Sequence, residues 1–361
     1  MNAAVHAEVI GASVKNVVYR VGLNALYATG LHRVMQPFVG GVGACFMLHH
    51  VRPAQSREFD PNGHLEITPE FLDATLTRVK ALGLDIVSLD EAARRLRDQD
   101  FARRFAVFTL DDGYRDNVEH AWPVFARHQA PFTVYVATGL VDRASFMWWR
   151  TLEDIIGRNS QIRLPLESGE VIVDVRSLDA KAAAYGRLTA EIHAMGEDEA
   201  IAFTADLARA HGVDAMEITD RELANWIELD QMAGDPLCTI GAHTVSHPML
   251  ARLSADRARW EIEESATRLE ARLGRKMAHF AYPYGYRMAA SGREFDMARE
   301  LGFVTAVTTR PGVIFPVHAG HMTALPRVSI NGRFQLERFV DVLVSGAPFA
   351  LFNRFRQLDV A

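Results

Sequence analysis

Short apolar runs that end in acids or histidines recur along this chain of 361 residues, and helical patterns separate them. Cys45 to Leu48 runs into His49-His50, Phe105 to Leu110 into Asp111-Asp112, and Leu237 to Ala242 into His243. Each run reads as a buried strand. Between them, Thr68-Pro69-Glu70 opens a helix with a hydroxyl cap and a proline in the first turn. Phe71, Leu72, Leu76 and Val79 form its apolar face, and Gly83 stops it. Ile86-Val87 follows as a strand, and Ser88 with Glu91 fits a capping box opening a helix from Asp90 to Leu96. Further on, Ala258, Ile262, Ala266, Leu269 and Leu273 mark one face of a helix ended by Gly274, while Phe280 to Tyr282, Val304 to Thr308 and Val328 to Ile330 supply strands. Strands alternating with helices, with polar residues collected at strand carboxyl ends, imply a parallel sheet or a barrel whose site lies on that face. A distorted (β/α) barrel is the expectation.

The alternation breaks between about Asp142 and Asp230. Ile162 to Leu166 and Val171 to Val175 flank Glu167-Ser168-Gly169-Glu170 as a hairpin, and an Ala- and Glu-rich helical stretch continues through Ala210. This segment reads as an insertion into the barrel, forming a cap or wall near the site. The expected organisation is a helical extension over residues 1–44, the barrel over 45–335 with its insertion at about 142–230, and a helical tail over 336–361.

In the N-terminal region Lys15 and Arg20 accompany Val17, Val18, Val21, Leu26 and Tyr27, partly on one helical face. Asn24, His32 and Arg33 break it well short of the roughly 20 apolar residues of a membrane span. No compact apolar region precedes a small-residue cleavage site, so a cytoplasmic location is expected. The apolar face is expected to pack on the domain or a second subunit in preference to a membrane surface. A net charge of -6 offers no general attraction for nucleic acid. Cys45 and Cys238 sit in apolar runs, where a buried thiol is expected in preference to a disulfide or a nucleophile.

The chemistry concentrates in Phe108-Thr109-Leu110-Asp111-Asp112-Gly113 and His243-Thr244-Val245-Ser246-His247-Pro248. Successive side chains at a strand end face opposite ways, so one of the adjacent carboxylates can bind a metal while the other serves as a base. His243 and His247, with three residues between them, can reach one cation, and imidazole suits zinc or a neighbouring transition metal. Two imidazoles and one carboxylate leave a coordination position for water, which is the inventory of a metal-dependent hydrolase.

These motifs resemble those of the polysaccharide deacetylases of the NodB homology type, carbohydrate esterase family 4. The family's Thr-Phe-Asp-Asp-Gly appears with Leu110 in place of Phe, and its His-Ser/Thr-x-x-His-Pro appears intact at His243 to Pro248. The resemblance implies Asp111 as catalytic base, Asp112, His243 and His247 as metal ligands, and a divalent metal, Zn2+ foremost, with Co2+, Ni2+ or Mn2+ as alternatives. Its Arg-x-Pro-Tyr corresponds to Ala281-Tyr282-Pro283-Tyr284, without the arginine. By resemblance the Tyr284 backbone N–H stabilises the oxyanion and Pro283 lies against the substrate, while Arg115 or Arg327 is left to orient Asp111. The late motifs are altered too, and His321 is the candidate proton donor to the leaving amine. Trp148 and Trp149 are candidate sugar-stacking residues, whereas His49, His50 and His279 read as strand-end or core histidines.

The implied activity is removal of N-acetyl groups from an amino-sugar polymer or oligosaccharide of the chitooligosaccharide or poly-N-acetylglucosamine type. Two other readings stay open: hydrolysis of a different C–N bond, such as a formamide or cyclic amide, and a catalytically silent carbohydrate-binding protein.

Overall fold

The computed structural model describes residues 17–166 and 169–360. Lys15 and the expected turn residues Glu167 and Ser168 lie outside them. Contacts divide the chain into two compact units. One comprises Met1–Val21, Gln55–His64 and Arg143–Glu222, and the other Gly22–Ala54, Leu65–Asp142 and Leu223–Ala361.

The main sheet of the larger unit holds eight strands: β1 (Gly43–Leu48), β2 (Asp85–Ile86), β3 (Phe105–Leu110), β4 (Phe132–Val136), β5 (Cys238–Ala242), β6 (His279–Ala281), β7 (Thr305–Pro311) and β8 (Leu325–Ser329). All pair in parallel in the order β1-β8-β7-β6-β5-β4-β3, and β3 returns to β1, so seven strands close a barrel. The short β2 pairs with β3 beside Phe105 and Ala106. Closure removes the sheet edges and puts every strand's carboxyl end on one face.

Alternation along the strands builds two cores. Cys45, Val107, Tyr135, Val307 and Leu325 cluster inside the barrel, and the intervening Phe46, Phe108, Val134, Ile240, Ala306 and Val328 cluster outside it under the helices. Continuing the inward series two residues at a time leads to His49, Asp111, His243 and Arg327, which is how the alternation itself aims four polar side chains at one place.

The strand Phe132–Val136 has no counterpart in the sequence reading. The last strand begins at Leu325, three residues before the expected Val328, since Pro326 and Arg327 both argue against a central strand on propensity, yet both are buried there. Thr68 caps its helix as expected by accepting from Phe71 N–H. Ser88 likewise accepts from Glu91 N–H, but the Glu91 carboxylate binds Arg94 and Arg95, so the box is only half formed. Both thiols are buried and free, and burial pushes Cys45 up to about 12, which removes it as a nucleophile at neutral pH.

Residues 17–28 are helical, but Leu23 and Leu26 are the buried positions, and Val17, Val18 and Val21 are exposed. Of the expected face, Leu26 and Tyr27 pack against the core, and the three valines stay exposed on this chain. Among the described residues no helix is long and apolar enough to cross a membrane.

The smaller unit pairs Gln161–Leu166 with Gly169–Asp174 in an antiparallel hairpin and adds the helices Trp148–Arg158, Leu178–Ala194, Glu197–Ala210 and Ala215–Glu222. Glu153 is buried within it and is bonded by Arg150 at 2.6 Å and Asn62 at 2.8 Å. The neighbouring cation compensates the desolvated carboxylate.

Candidate active site

The site lies wholly in the larger unit, on the carboxyl face of the barrel. β3 ends at Leu110, and Asp111 continues its inward series. Asp112 then adopts φ +74, in the left-handed region, which breaks the alternation and brings the second carboxylate to the same face. Thr244 (φ +65), His247 (φ +63) and Tyr284 (φ +60) share this unfavourable conformation. Such strain, concentrated around one cluster, needs surroundings that hold it. Buried Glu261 provides part of that support: it accepts from the backbone N–H groups of Val245 and Ser246, both at 2.9 Å, and from Ser246 Oγ at 2.7 Å. The Thr244 hydroxyl accepts from His247 N–H. The loop carrying both histidines is thereby held on a buried carboxylate.

Asp112 Oδ1 is buried and lacks a hydrogen-bond partner, yet it lies 3.3 Å from both His243 Nε2 and His247 Nε2. One atom of each of the three residues can be chosen so that all fall within 4.8 Å of one another. His243 Nδ1 lies 2.7 Å from the Ala281 carbonyl oxygen. A carbonyl can only accept, so Nδ1 carries a hydrogen, and an imidazole without a second hydrogen presents its Nε2 lone pair toward Asp112. An acceptor facing an acceptor in a buried place is satisfied by a cation, and carboxylate with two imidazoles is a donor set that fits zinc. Burial alone would push the Asp112 carboxyl up, and positive charge at the two imidazole Nε2 positions, from protons or from a metal cation, outweighs it and holds the group well below the usual range. It is therefore a carboxylate, ready to ligate.

Asp111 stands beside this cluster with a different partner. Arg327, from β8, reaches it with two hydrogen bonds of 2.7 Å, one to each oxygen, and donates also to Thr109 Oγ1 at 3.1 Å and the Thr308 carbonyl at 2.7 Å. Both residues are almost wholly buried. Desolvation raises the Asp111 carboxyl, but the guanidinium charge and its bonds, with His243 and His49 behind them, bring it below the usual carboxylate range. Of the two arginines considered from sequence, Arg327 takes the place. Arg115 pairs instead with Glu228 at 3.4 Å.

The sequence reading passed over His49. Its Nε2 lies 3.8 Å from Asp111 Oδ2 and its side chain stays 16% exposed, so it reaches both the carboxylate and the opening. Burial outweighs the upward pull of Asp111 and Asp112 and leaves its imidazole pKa below the usual value. His50, next in the chain, is buried and tied through Nδ1 to Asp116 at 2.7 Å, and Asn117 fixes the His49 carbonyl at 2.8 Å. The parity of β1 was the available signal: in-facing Cys45 and Met47 lead to His49, not His50.

His321 does not join the site. The adjacent Met322 carbonyl accepts from Ala306 N–H, near the start of β7, so His321 sits at the amino end of the barrel, opposite Asp111. In a parallel barrel the residues just before a strand lie on the wrong face to donate a proton there. Trp148 and Trp149 are also corrected. Both rings are buried, meeting each other edge-on at 5.9 Å, and Trp148 packs on His193 at 5.3 Å. Neither presents an open face for a sugar ring. Tyr284 does sit with the metal-ligand candidates, its ring 5.0 Å from that of His247. Thr309 Oγ1 donates to its carbonyl at 2.5 Å. Pro283 precedes it in the same loop. His279 is buried at the start of β6, bonded to Thr305 Oγ1 at 2.8 Å and Asp90 at 3.2 Å.

Solved structures similar in fold include the Streptococcus pyogenes deacetylase PplD in complex with acetate, at 19% identity over 80% of this chain and 92% of that one, with a TM-score of 0.53. IcaB from Ammonifex degensii matches at 18% identity over 85% and 97% of the two chains, with a TM-score of 0.54. A de-N-acetylase from Aggregatibacter actinomycetemcomitans matches at 12% identity over 83% and 99%, with a TM-score of 0.53. At these identities the likeness is one of fold. No curated protein sequence gives a significant match. The family model described as polysaccharide deacetylase spans residues 98–306, more than half of the chain and including both the Asp111-Asp112 strand end and the His243–His247 loop. The chain therefore belongs to the polysaccharide deacetylase family.

Proposed function

We propose that the chain is a metal-dependent hydrolase that removes acetyl from an N-acetylated amino sugar within an oligosaccharide or polymer. The convergence of two imidazole Nε2 atoms on the single buried oxygen Asp112 Oδ1, with the Arg327-bound Asp111 alongside, is the observation that carries this reading. Asp112, His243 and His247 would hold a divalent cation, Zn2+ by donor type. When bound it supplies Lewis-acid activation of a water and of the amide carbonyl.

The remaining steps belong to the protein. Asp111, kept ionised by Arg327, takes a proton from the attacking water as its oxygen adds to the acetyl carbon. Arg327 fixes both oxygens of that carboxylate, so the base presents one geometry. Tyr284, through its backbone N–H, stabilises the negative charge developing on the carbonyl oxygen, a contribution that needs no particular side chain. His49 then donates a proton to the departing nitrogen as the C–N bond breaks, giving acetate and a free amine. Its place beside Asp111 and partial exposure support that role over any assigned to His321.

Acetate release from N-acetylglucosamine oligomers, with zinc-loaded protein and its Asp111→Asn variant, tests the reading. Release by the parent and loss in the variant are expected. Saccharide binding without release would identify a silent binding protein, and neither binding nor release would point to a different C–N bond.

A further inference from the structure

A second surface of the larger unit has no part in this chemistry. The helix Leu31–Val39 packs through Met35 and Val39 on Ala347 and Ala350 of the helix Ala347–Phe352. That contact uses one side of the first helix. Leu31, Val34 and Phe38, spaced i, i+3 and i+7, form a separate stripe that faces solvent. Leu351, Phe352 and Phe355 are exposed on the second helix and the turn after it. Phe38 is 79% exposed, Phe352 73% and Phe355 63%. Single exposed apolar residues are ordinary on a soluble surface, but three bare phenylalanines on two adjoining helices are not.

The charge within the two stretches that carry them has one sign. No Asp or Glu occurs between Glu8 and Glu58, nor between Asp341 and Asp359, whereas Arg33, Arg354 and Arg356 lie in these stretches and are exposed. In a chain of net charge -6 this is a local inversion. Asp359, the carboxylate that follows, is engaged by Arg287 and Arg310. A cavity of about 250 Å3 adjoins the stripe, lined among others by Phe38, Val313, Phe315, Phe349 and Phe355. Arg310, Arg356 and Asp359 line it as well, so the recess joins apolar walls to the basic residues.

The geometry points to this face as a docking surface for an anionic lipid bilayer. The phenylalanines and Leu31 and Val34 enter the interface between headgroups and acyl chains, and Arg33, Arg354 and Arg356 meet the phosphates. A second copy of the chain fits less well. An isologous contact would set the arginines of one copy against those of the other, while Asp359, the carboxylate beside them, is already engaged by Arg287 and Arg310.

Flotation of the full-length protein with vesicles tests this: phosphatidylcholine alone against phosphatidylcholine with one third phosphatidylglycerol, at low and high salt. The protein is expected to float with the anionic vesicles at low salt, less at high salt, and hardly at all with the neutral ones. Phe38→Ser and Phe352→Ser should each weaken binding about tenfold. The Arg33→Glu/Arg354→Glu pair should abolish it. All four positions are exposed, so circular dichroism and acetate release stay those of the parent. The proposal is overturned if the protein never floats with anionic vesicles, or if the serine variants float as well as the parent. A dimer in size-exclusion chromatography that the same serine substitutions dissociate would assign the face to a second copy and overturn it as well.

Discussion

Replacing Arg327 with methionine removes the sole cation bonded to the buried Asp111 carboxylate while keeping most of the side-chain volume. The two 2.7 Å bonds and the near-complete burial of both partners set the size of the effect. Removing one member of such a pair strands a desolvated charge, at a cost of about 3–5 kcal/mol. Asp111→Asn alone strands the guanidinium and is also expensive, whereas Arg327→Met with Asp111→Asn leaves no unpaired charge. Urea unfolding of the four proteins should therefore show strong non-additivity, with the double variant well above the sum of the single losses. The pH dependence follows from the lowered Asp111 pKa. Stability from a depressed carboxylate is fully present above its unfolded pKa of about 3.9 and is lost as pH falls through the folded value. The gap between the parent and Arg327→Met should be largest at high pH, shrink once the stranded Asp111 of the variant takes up a proton at its raised pKa, and close as pH falls through the lowered pKa of the parent. Additive single losses, within about 0.5 kcal/mol, or a gap that persists at low pH, would refute the pairing argument.

Three further outcomes follow. His49→Gln should lower kcat about hundredfold or more with little change in KM, and should remove the alkaline limb of the pH–rate profile. His321→Ala, on the opposite barrel face, should leave kcat and KM as they are in the same assay. Glu261→Gln exchanges an oxygen acceptor for an amide that faces the N–H donors of the His243–His247 loop, so metal affinity measured by competition with a chelator dye should fall about 10–100-fold.

The cluster of Asp112, His243 and His247 was legible because its spacing is local: Asp111-Asp112 sits at one strand end, and His243 and His247 lie in one loop. Barrel class was legible for a similar reason, since buried runs such as Phe105–Leu110 alternate with capped helices. The groups flanking the base were harder, because they come from β1 and β8, outside residues 98–306 and distant in sequence from Asp111. Arg327 could be listed as a partner but not placed, since the second and third residues of the strand that carries it are a proline and a cation that strand propensity disfavours. His49 was legible only through the parity of β1, which requires knowing which face of that strand lines the barrel. His321 misled because nearness to a strand in sequence does not say which end of the barrel it occupies. Trp148 and Trp149 misled because an aromatic pair that could serve a sugar serves packing equally well, and burial decides between them.

The metal centre is the claim on which the proposed chemistry depends, and metal content after equilibration tests it most directly. Protein incubated with zinc and freed of excess by gel filtration should retain about one metal per chain, as a three-residue site demands. Asp111→Asn should retain the same amount, while Asp112→Ala and His243→Ala should retain none. A parent protein that holds no divalent metal after loading, or ligand variants that hold as much as the parent, would contradict the assignment.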